Sequence, residues 1–289
     1  MPRPDCRRGF TRVDLSVGLL VLVASAALLV PACYDARVSD GGGAMSQSVN
    51  NLKQMCIGLC SIAVRIDGVL PPAVGAFPAG SDINGSIFFH ILPDIELDAI
   101  YNKYAQGVPG RANVAAAATE SVRTFCAPLD SSNPGSSAPI GLTSYASNGA
   151  VFGVNSANRT VRYPDSFQPK GASNTVAFME RYAVVGAERV HHTWRGIGNQ
   201  ENYLYLPVTR PDDMSVPEFG VAPTGASNHA PHAFHRTTLL VGMADGSSRR
   251  ITEDVSRTFA YADGRTATIW AWACTIDGPL GKAETPNGW

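Results

Sequence analysis

The stretch RRGFTRVDL, Arg7–Leu15, decides how the rest of this chain is organised. Two arginines are followed by Gly9 and Phe10, and one acid, Asp14, precedes an uncharged segment, 15–32, that is rich in Leu, Val and Ala. A secretory signal peptide carries the small residues of its cleavage site after its apolar core. Here the Gly-Phe junction comes before the core, so cleavage there would leave the apolar segment on the mature protein.

The apolar segment 15–32 predicts a single-pass anchor in the cytoplasmic (inner) membrane. Its length is close to the roughly 20 residues that span a bilayer as a helix. Arg7, Arg8 and Arg12 lie on its N-terminal side, which the positive-inside rule places in the cytoplasm. The remainder then lies in the periplasm or exterior. Asp14 is costly in lipid unless it finds a partner. A signal anchor that never assembles is the alternative interpretation.

The Arg7–Leu15 stretch resembles the cleavage and methylation motif of type IV prepilins. The resemblance implies that a prepilin peptidase removes the leader 1–9 by cutting after Gly9, which leaves Phe10 as an N-methylated first residue. Asp14 stands where the family usually has Glu, an acid that pairs with the amino terminus of a neighbouring subunit in assembled pilins. The implied partners are therefore the peptidase, other pilin-like subunits and membrane lipid.

A second motif overlaps the end of the apolar segment. The sequence LVPAC, Leu29–Cys33, is similar to a lipobox, in which a Cys after a small residue is lipidated. Pro31 fits that motif poorly, and its position resembles the Pro that kinks the pilin helix. Lipidation at Cys33 would instead give a membrane-tethered, extracytoplasmic binding module that does not polymerise.

The composition is that of a globular chain. It has 289 residues, 45% hydrophobic and 16% charged, with a net charge of −1. This balance argues against a generally basic surface, so we expect no nucleic-acid partner. We predict an α+β fold, in which a leader (1–9) and a long N-terminal helix (10–67) with a membrane-spanning part (15–32) precede an extracytoplasmic head (68–289) that contains an antiparallel sheet.

The extracytoplasmic part of this helix carries a second resemblance. Three glycines at 41–43 interrupt the helix, and apolar residues at helical spacing predict that it resumes at Ala44 or Ser46 and ends near Gly68. Within it the motif NNLKQ, followed by GVLPP, is similar to a large bacterial pilin-like family of otherwise undefined function. The matching residues of the first motif include Asn50, Asn51, Leu52 and Lys53. The family usually has a Cys two residues before the Asn pair, where this chain has Ser48.

Further stretches downstream carry the same resemblance. They are FCAPLD at 125–130, TSYASNG at 143–149, ASNTVAFMER at 172–181, and His235 followed after nine residues by Asp245-Gly246, an H-x9-D-G ending. The last predicts a hairpin of strands 237–243 and 247–252 around the Asp-Gly turn. We also expect 151–154 to continue the strand of the TSY stretch, and IWAW at 269–272 to form a last strand.

The cysteines leave two interpretations open. Cys6 leaves with the leader, so five remain and at least one is unpaired or intermolecular. Cys56 and Cys60 share a helix face but lie too far apart to bond each other across one turn. The resemblance, with Ser48 in place of the family Cys, implies that Cys126 reaches one of them. Buried free thiols are the alternative.

The histidines are the strongest candidates for a metal site, because zinc and copper bind His clusters. They are His229, His232 and His235, with His191 and His192 elsewhere. Pro231 breaks any helix that would align the first three, and no Cys or Glu stands at a recurrent metal-ligand spacing. Asp254, Asp263 and Asp277 show no calcium-loop pattern. We therefore predict no metal and no cofactor.

Catalytic motifs are absent from the sequence. It contains no G-x-S-x-G elbow, no H-E-x-x-H and no phosphate loop, so we predict no catalytic residues and no enzymatic activity, with an enzyme outside the cytoplasm as the weakest alternative. The chain is best interpreted as a pseudopilin-like, membrane-anchored subunit of a type II secretion or type IV pilus-like system. Its role would be structural, in assembly.

Overall fold

The computed structural model describes residues 42–105, 117, 119–133, 141–153, 160–192, 205–206, 215–261, 263–278, 285–286 and 289. All of these except Gly42 and Gly43 belong to one compact unit, Ala44–Trp289. The helices are α1 (Gly42–Arg65), α2 (Ile87–His90), α3 (Asp98–Ala105), α4 (Gly149–Phe152) and α5 (Ile269–Cys274). Short 3-10 turns include Leu92–Ile95, Arg123–Phe125, Asp165–Phe167, Ala172–Asn174 and Glu253–Ser256.

A five-stranded sheet lies at the centre of the unit. The strands, in chain order, are β1 (Val74–Ala76), β2 (Asn84–Ser86), β3 (Tyr145–Asn148), β4 (Val176–Glu180), β5 (Val184–Val185), β6 (Glu188–Arg189), β7 (Tyr205–Leu206), β8 (Glu218–Phe219), β9 (His232–Ala233), β10 (Leu239–Met243), β11 (Ser248–Ile251), β12 (Thr258–Ala260) and β13 (Thr266–Thr268). The central sheet has the order β11-β10-β4-β3-β7, and only its β3–β7 pair is parallel. The remaining strands form two-stranded sheets.

The hairpin predicted at the H-x9-D-G ending is confirmed. Strands β10 and β11 pair antiparallel, with Leu239 opposite Ile251 and Gly242 opposite Ser248. Gly246 in the connecting turn has a φ of +91°, a conformation that glycine adopts without steric cost. The predicted turn and strand at 172–181 are also confirmed, because a 3-10 turn leads into β4 there.

The helix α1 forms because its apolar residues recur every three or four positions, so that they line one face. Leu52, Met55, Cys56, Leu59 and Ile62 on this face are all at most 1% exposed. Burial of each large apolar side chain contributes about 1.5–3 kcal/mol. The helix ends where the Gly68 N–H bonds the Ala63 carbonyl oxygen, with Gly68 at φ +79°.

The predicted fold class is wrong. The sequence predicted a long N-terminal helix over 10–67 that spans the membrane, whereas the described helix begins at Gly42, within the glycine run. It is amphipathic, with Lys53, Gln54 and Ser61 exposed, because one face covers the sheet. No helix in the described part of the chain is both long and apolar enough to cross a membrane. The segment 15–32 lies outside the described residues.

The three inner strands of the central sheet, β10, β4 and β3, are buried on both faces. Along β10, Leu240 belongs to the cluster under α1, whereas Leu239 and Val241 belong to a second cluster that includes all six residues of α5. We call these two sides the α1 face and the α5 face. Close contact on the α1 face depends on Gly242, where an added Cβ would lie 2.4 Å from the Cys56 Sγ atom.

Two predicted strand segments are helical. The IWAW segment lies in α5, whose first turn is capped by the Thr268 Oγ1 atom accepting from the Ala271 N–H at 3.0 Å. The segment after β3 forms α4, where the Asn148 side chain accepts from the Ala150 and Val151 N–H groups. In both places a Thr or Asn cap begins a helix directly at the end of a strand.

Candidate functional site

The residues predicted for processing and assembly cannot be located in the fold. Gly9, Phe10 and Asp14 lie outside the described residues, as does Cys33 of the lipobox-like stretch. Their roles therefore stay predictions, and the described candidate site consists of the family-signature residues.

The signature residues of the NNLK motif lie on two opposite faces of α1. Asn51 and Leu52 are 1% and 0% exposed and point into the unit. Asn50 and Lys53 are exposed on the opposite side. Because adjacent helical positions are about 100° apart, the NNLK motif has to supply both an inner and an outer face.

Asn51 joins three of the signature stretches. Its Nδ2 group donates to the Cys126 carbonyl oxygen at 2.9 Å and to the Tyr145 hydroxyl at 3.3 Å. Its Oδ1 atom accepts from Gln47 Nε2 at 2.9 Å, which fixes the orientation of the amide. The α1 motif, the FCAPLD stretch and the TSY strand therefore meet at one buried side chain.

Glu180 extends this contact to the hairpin. Its Oε2 atom accepts from the Leu240 N–H at 3.0 Å, and the Ser48 hydroxyl faces both Glu180 and Tyr145. Burial, with a smaller contribution from the nearby Asp130, raises the pKa of Glu180 to about 8, although the hydrogen bonds from Leu240 and Ser48 act to lower it. At neutral pH this carboxyl group is therefore mostly protonated and carries no charge into the core.

Asp130 ties the FCAPLD stretch to the chain that leaves β4. Its Oδ2 atom accepts from the Ala183 N–H at 2.9 Å, and its Oδ1 atom accepts from the Ser132 N–H and hydroxyl at 2.9 and 2.6 Å. Burial raises the pKa of Asp130, while these hydrogen bonds lower it. Arg181, the residue that follows Glu180 in the chain, is fully buried and donates from Nη2 to the Asn228 carbonyl oxygen at 3.2 Å.

We call the set Ser48, Asn51, Asp130, Tyr145 and Glu180 the α1 junction. Each member is at most 4% exposed. Asn51 bonds Tyr145 and the backbone of Cys126, and Glu180 accepts from the backbone of β10, so this arrangement is suited to holding α1 on the sheet. Hydrogen bonds of this kind also specify the register of the helix, because a one-residue slip would leave buried polar groups unpaired.

The residues of the H-x9-D-G ending do not meet each other. His235 precedes β10, where its carbonyl oxygen accepts from the Thr238 N–H at 3.2 Å. Asp245 follows β10, and its Oδ1 atom accepts from the Ser247 N–H at 2.9 Å and hydroxyl at 2.6 Å. Both are exposed, so the signature marks the two ends of one strand instead of a joint site.

The histidines have packing or surface positions. His232 is buried, with Nδ1 accepting from the Tyr182 N–H at 3.0 Å and Nε2 bonded to the Ser227 carbonyl oxygen at 2.9 Å. Burial lowers the pKa of His232 to about 4, and it lowers the pKa of His192 to about 4 as well. His229 and His235 are exposed. Within the described ranges, no group of three His, Cys, Asp or Glu side chains converges to hold a metal ion.

The predicted link from Cys126 to Cys56 or Cys60 is wrong. Cys56, Cys60, Cys126 and Cys274 are free thiols. Cys56 sits against Gly242, whereas the Cys60 Sγ atom faces the Ala244 carbonyl oxygen at 3.7 Å. The Cys126 Sγ atom faces the carbonyl oxygen of Val122 at 3.5 Å. The free-thiol interpretation therefore applies to these four residues.

No sequence pattern indicated that Lys170, on the α5 face, is buried. Its ammonium group donates to the Trp272 and Thr275 carbonyl oxygens and lies 4.5 Å from the centroid of the Trp272 ring. Burial lowers the pKa of Lys170 to about 7. A lysine between a Pro and a Gly is typical of an exposed loop, and only the tertiary contact with the end of α5 distinguishes it.

No protein-family model, no curated protein and no solved structure matches this chain.

Proposed function

We propose that this chain is a pseudopilin-like subunit of a type II secretion or type IV pilus-like system. Its apolar segment 15–32 holds it in the cytoplasmic membrane, and the unit 44–289 lies on the outer side. A prepilin peptidase cuts after Gly9, and Asp14 then receives the amino terminus of a neighbouring subunit. The role is structural, with no reaction catalysed.

The observation that carries the proposal is the convergence at Asn51. The pilin-like resemblance rests on stretches that are far apart in the sequence, and three of them meet at this one side chain. The contacts support the interpretation of these stretches as parts of one architecture, in which the helix that follows the N-terminal segment is fixed to a sheet.

The α1 junction suits a subunit that is moved by its N-terminal segment. The face of α1 toward the sheet is buried and hydrogen-bonded, so α1 and the sheet move as one body. The outer face remains accessible, with Ile57 57% and Val64 87% exposed.

Processing is the direct test. The full chain is co-produced with a prepilin peptidase, and the mature N-terminus is identified by mass spectrometry. We expect a chain that begins with methylated Phe10. Gly9→Val should leave an uncut precursor, because a branched side chain blocks entry of the bond into the peptidase cleft. Gly18→Val, a matched change inside the apolar segment, should still be cut.

Two outcomes would contradict the proposal. A mature chain that begins with lipidated Cys33 would support the tethered binding module instead. Equal processing of the wild type and Gly9→Val would contradict cleavage after Gly9 by a prepilin peptidase. If processing is as expected, Asp14→Ala should still be cut but should assemble less well than Asp14→Glu, because the amino terminus of the neighbouring subunit loses its carboxylate partner. In-membrane cross-linking measures this difference.

A further inference from the structure

The strand β11 forms one edge of the central sheet, where within the described residues it pairs only with β10. Arg250 stands opposite Leu240, whose N–H faces β4 and donates to Glu180. In an antiparallel pair, a residue whose partner turns its backbone groups away also turns its own groups away. The N–H and C=O groups of Arg250 therefore point out of the sheet, and those of Ser248, two residues earlier, have the same orientation.

These outward backbone groups have no hydrogen-bond partner in the described part of the chain. Together, Ser248 and Arg250 offer two N–H donors and two C=O acceptors along the edge. Ser248 is partly exposed and Arg250 is exposed, so that another chain can approach them. A sheet edge of this kind can accept a further strand through main-chain hydrogen bonds.

The same edge carries two adjacent positive charges, Arg249 and Arg250. Within the described ranges, neither arginine has a carboxylate partner. Arg249 lies on the α5 face, where its Nη2 group donates to Asn174 Oδ1 at 3.2 Å and its guanidinium carbon lies 5.0 Å from the centroid of the Trp289 ring. Both of these neighbours are uncharged, so they orient Arg249 without compensating its charge. Arg250 lies on the opposite side of the strand, because side chains alternate along it.

These charges determine which kind of strand the edge can accept. The β11 strand of a second copy would bring another pair of arginines against this one, and like charges on neighbouring strands are destabilising. A neutral strand would leave both charges uncompensated beside it. Of the two acids that follow β11, Asp254 is already paired with Arg257. An added strand with acidic side chains is therefore the one that the edge favours.

We propose that the β11 edge, Ser248–Ile251, binds an extended acidic segment of a partner protein by strand addition. The main chain of the segment bonds the outward groups of Ser248 and Arg250. Its alternate side chains lie beside Arg250 on one face and beside Arg249 on the other. Main-chain bonds supply the affinity, and the two positive charges select the acidic partner. The site is built by the β10–β11 hairpin and does not depend on processing at Gly9.

Three labelled peptides separate strand pairing from charge. TEVEVET alternates acids with Val and can pair as a strand. TEPEPET keeps the same acids but replaces Val by Pro, which cannot donate a hydrogen bond to a neighbouring strand. TKVKVKT keeps the alternation with the opposite charge. Binding to the full chain in detergent is measured by fluorescence anisotropy, and we expect TEVEVET to bind at least about tenfold more tightly than either control.

Variants of the chain locate the binding at this edge. Arg250→Pro removes an N–H that β10 does not use, and Pro is tolerated in an edge strand at such a position. It should weaken the binding of TEVEVET about tenfold, as should the charge reversal Arg250→Glu. Lys53→Glu, the matched reversal at an exposed position of α1, should bind like the wild type. Circular dichroism checks that each variant is folded.

Hydrogen exchange gives a readout that charge alone would not change. The amides of Ser248 and Arg250 should exchange rapidly in the free chain and slowly when TEVEVET is bound. Slow exchange of both amides in the free chain would mean that another part of the chain already covers the edge, and it would overturn the proposal. Absence of TEVEVET binding, or binding equal to that of TEPEPET or TKVKVKT, would overturn it as well.

Discussion

The two faces of the central sheet are covered in different ways. The α1 face carries a 24-residue amphipathic helix, and the buried ionisable groups beneath it include a carboxylic acid, Glu180. The α5 face carries a six-residue helix that is buried on every side, and its buried ionisable group is an amine, Lys170. Burial disfavours the charged form of each group, which raises the pKa of the acid and lowers that of the amine. Glu180 and Lys170 therefore contribute to stability with opposite responses to pH.

Replacing Glu180 by Gln should have the largest effect on this contrast. The folded pKa is about 8 against an ordinary value of 4.5, so the stability contributed by the bound proton is complete below pH 4.5 and is lost as pH rises through 8. We expect the wild type to lose on the order of 4 kcal/mol between pH 5 and 9 through this group. Glu180→Gln keeps the acceptor for Leu240 and should lack that loss in urea unfolding.

The matched control is Glu253→Gln, at an exposed position. Its profile should follow that of the wild type. Parallel pH profiles for the wild type and Glu180→Gln would contradict the assignment of a neutral acid to the α1 face.

Lys170→Met should change the pH profile in the opposite direction. The folded pKa of Lys170 is about 7 against 10.5, so the unfolded chain binds more protons between these values. The contribution is complete above pH 10.5 and is lost as pH falls through 7. Wild-type stability should gain about 3 kcal/mol between pH 7 and 9.5 through this group, and Lys170→Met should lack the gain. Lys53→Met, on the exposed side of α1, should retain it.

The Gly242 contact predicts a specific steric coupling between α1 and β10. A methyl group at Gly242 would overlap the Cys56 Sγ atom, so Gly242→Ala should cost about 2 kcal/mol in the free energy of unfolding. Cys56→Ala in the same chain should restore part of that loss, which a double-mutant cycle detects. Gly43→Ala meets nothing within 4 Å and should stabilise α1 by roughly 1 kcal/mol. Strict additivity of Gly242→Ala and Cys56→Ala would refute the coupling.

The smallest effect should distinguish the two asparagines of the α1 signature. Asn51→Ala removes hydrogen bonds to Cys126 and Tyr145 and should cost about 1–2 kcal/mol, because buried partners are left unsatisfied. Asn50→Ala, at an exposed position, should stay within about 0.5 kcal/mol of the wild type. Chemical denaturation of both variants measures the two losses in the free energy of unfolding. Equal losses would contradict a stabilising role for the hydrogen bonds of Asn51.

The α1 face could be predicted in large part from the sequence, because its elements have a readable period. Leu52, Met55 and Leu59 recur at helical spacing, and the Asp-Gly pair marks the hairpin turn. The α5 face could not, because Ile269–Cys274 is apolar on all sides and has no period to separate a helix from a strand. Lys170 and Trp289 were missed for a related reason, since their partners are brought together only by tertiary contacts.

The candidate site shows the same limit. The resemblance identified Asn51, His235 and Asp245 as signature residues without indicating which of them touch. Asn51 is buried and hydrogen-bonds to another signature stretch, whereas His235 and Asp245 lie at opposite ends of β10. The number of residues between two motif positions does not give their distance in the fold until the structure of the connecting segment is known.

The fit of Cys56 against Gly242 has a kinetic consequence. Cys56 and Cys274 are both 0% exposed, one on each face of the sheet, whereas Cys60 is partly exposed. Burial raises the pKa of both buried thiols, and thiol reagents attack the thiolate, so each can be labelled only when its own layer opens. The labelling rate at Cys56 follows detachment of α1, and the rate at Cys274 follows detachment of α5. A single time course thus gives the order in which the two layers leave the sheet.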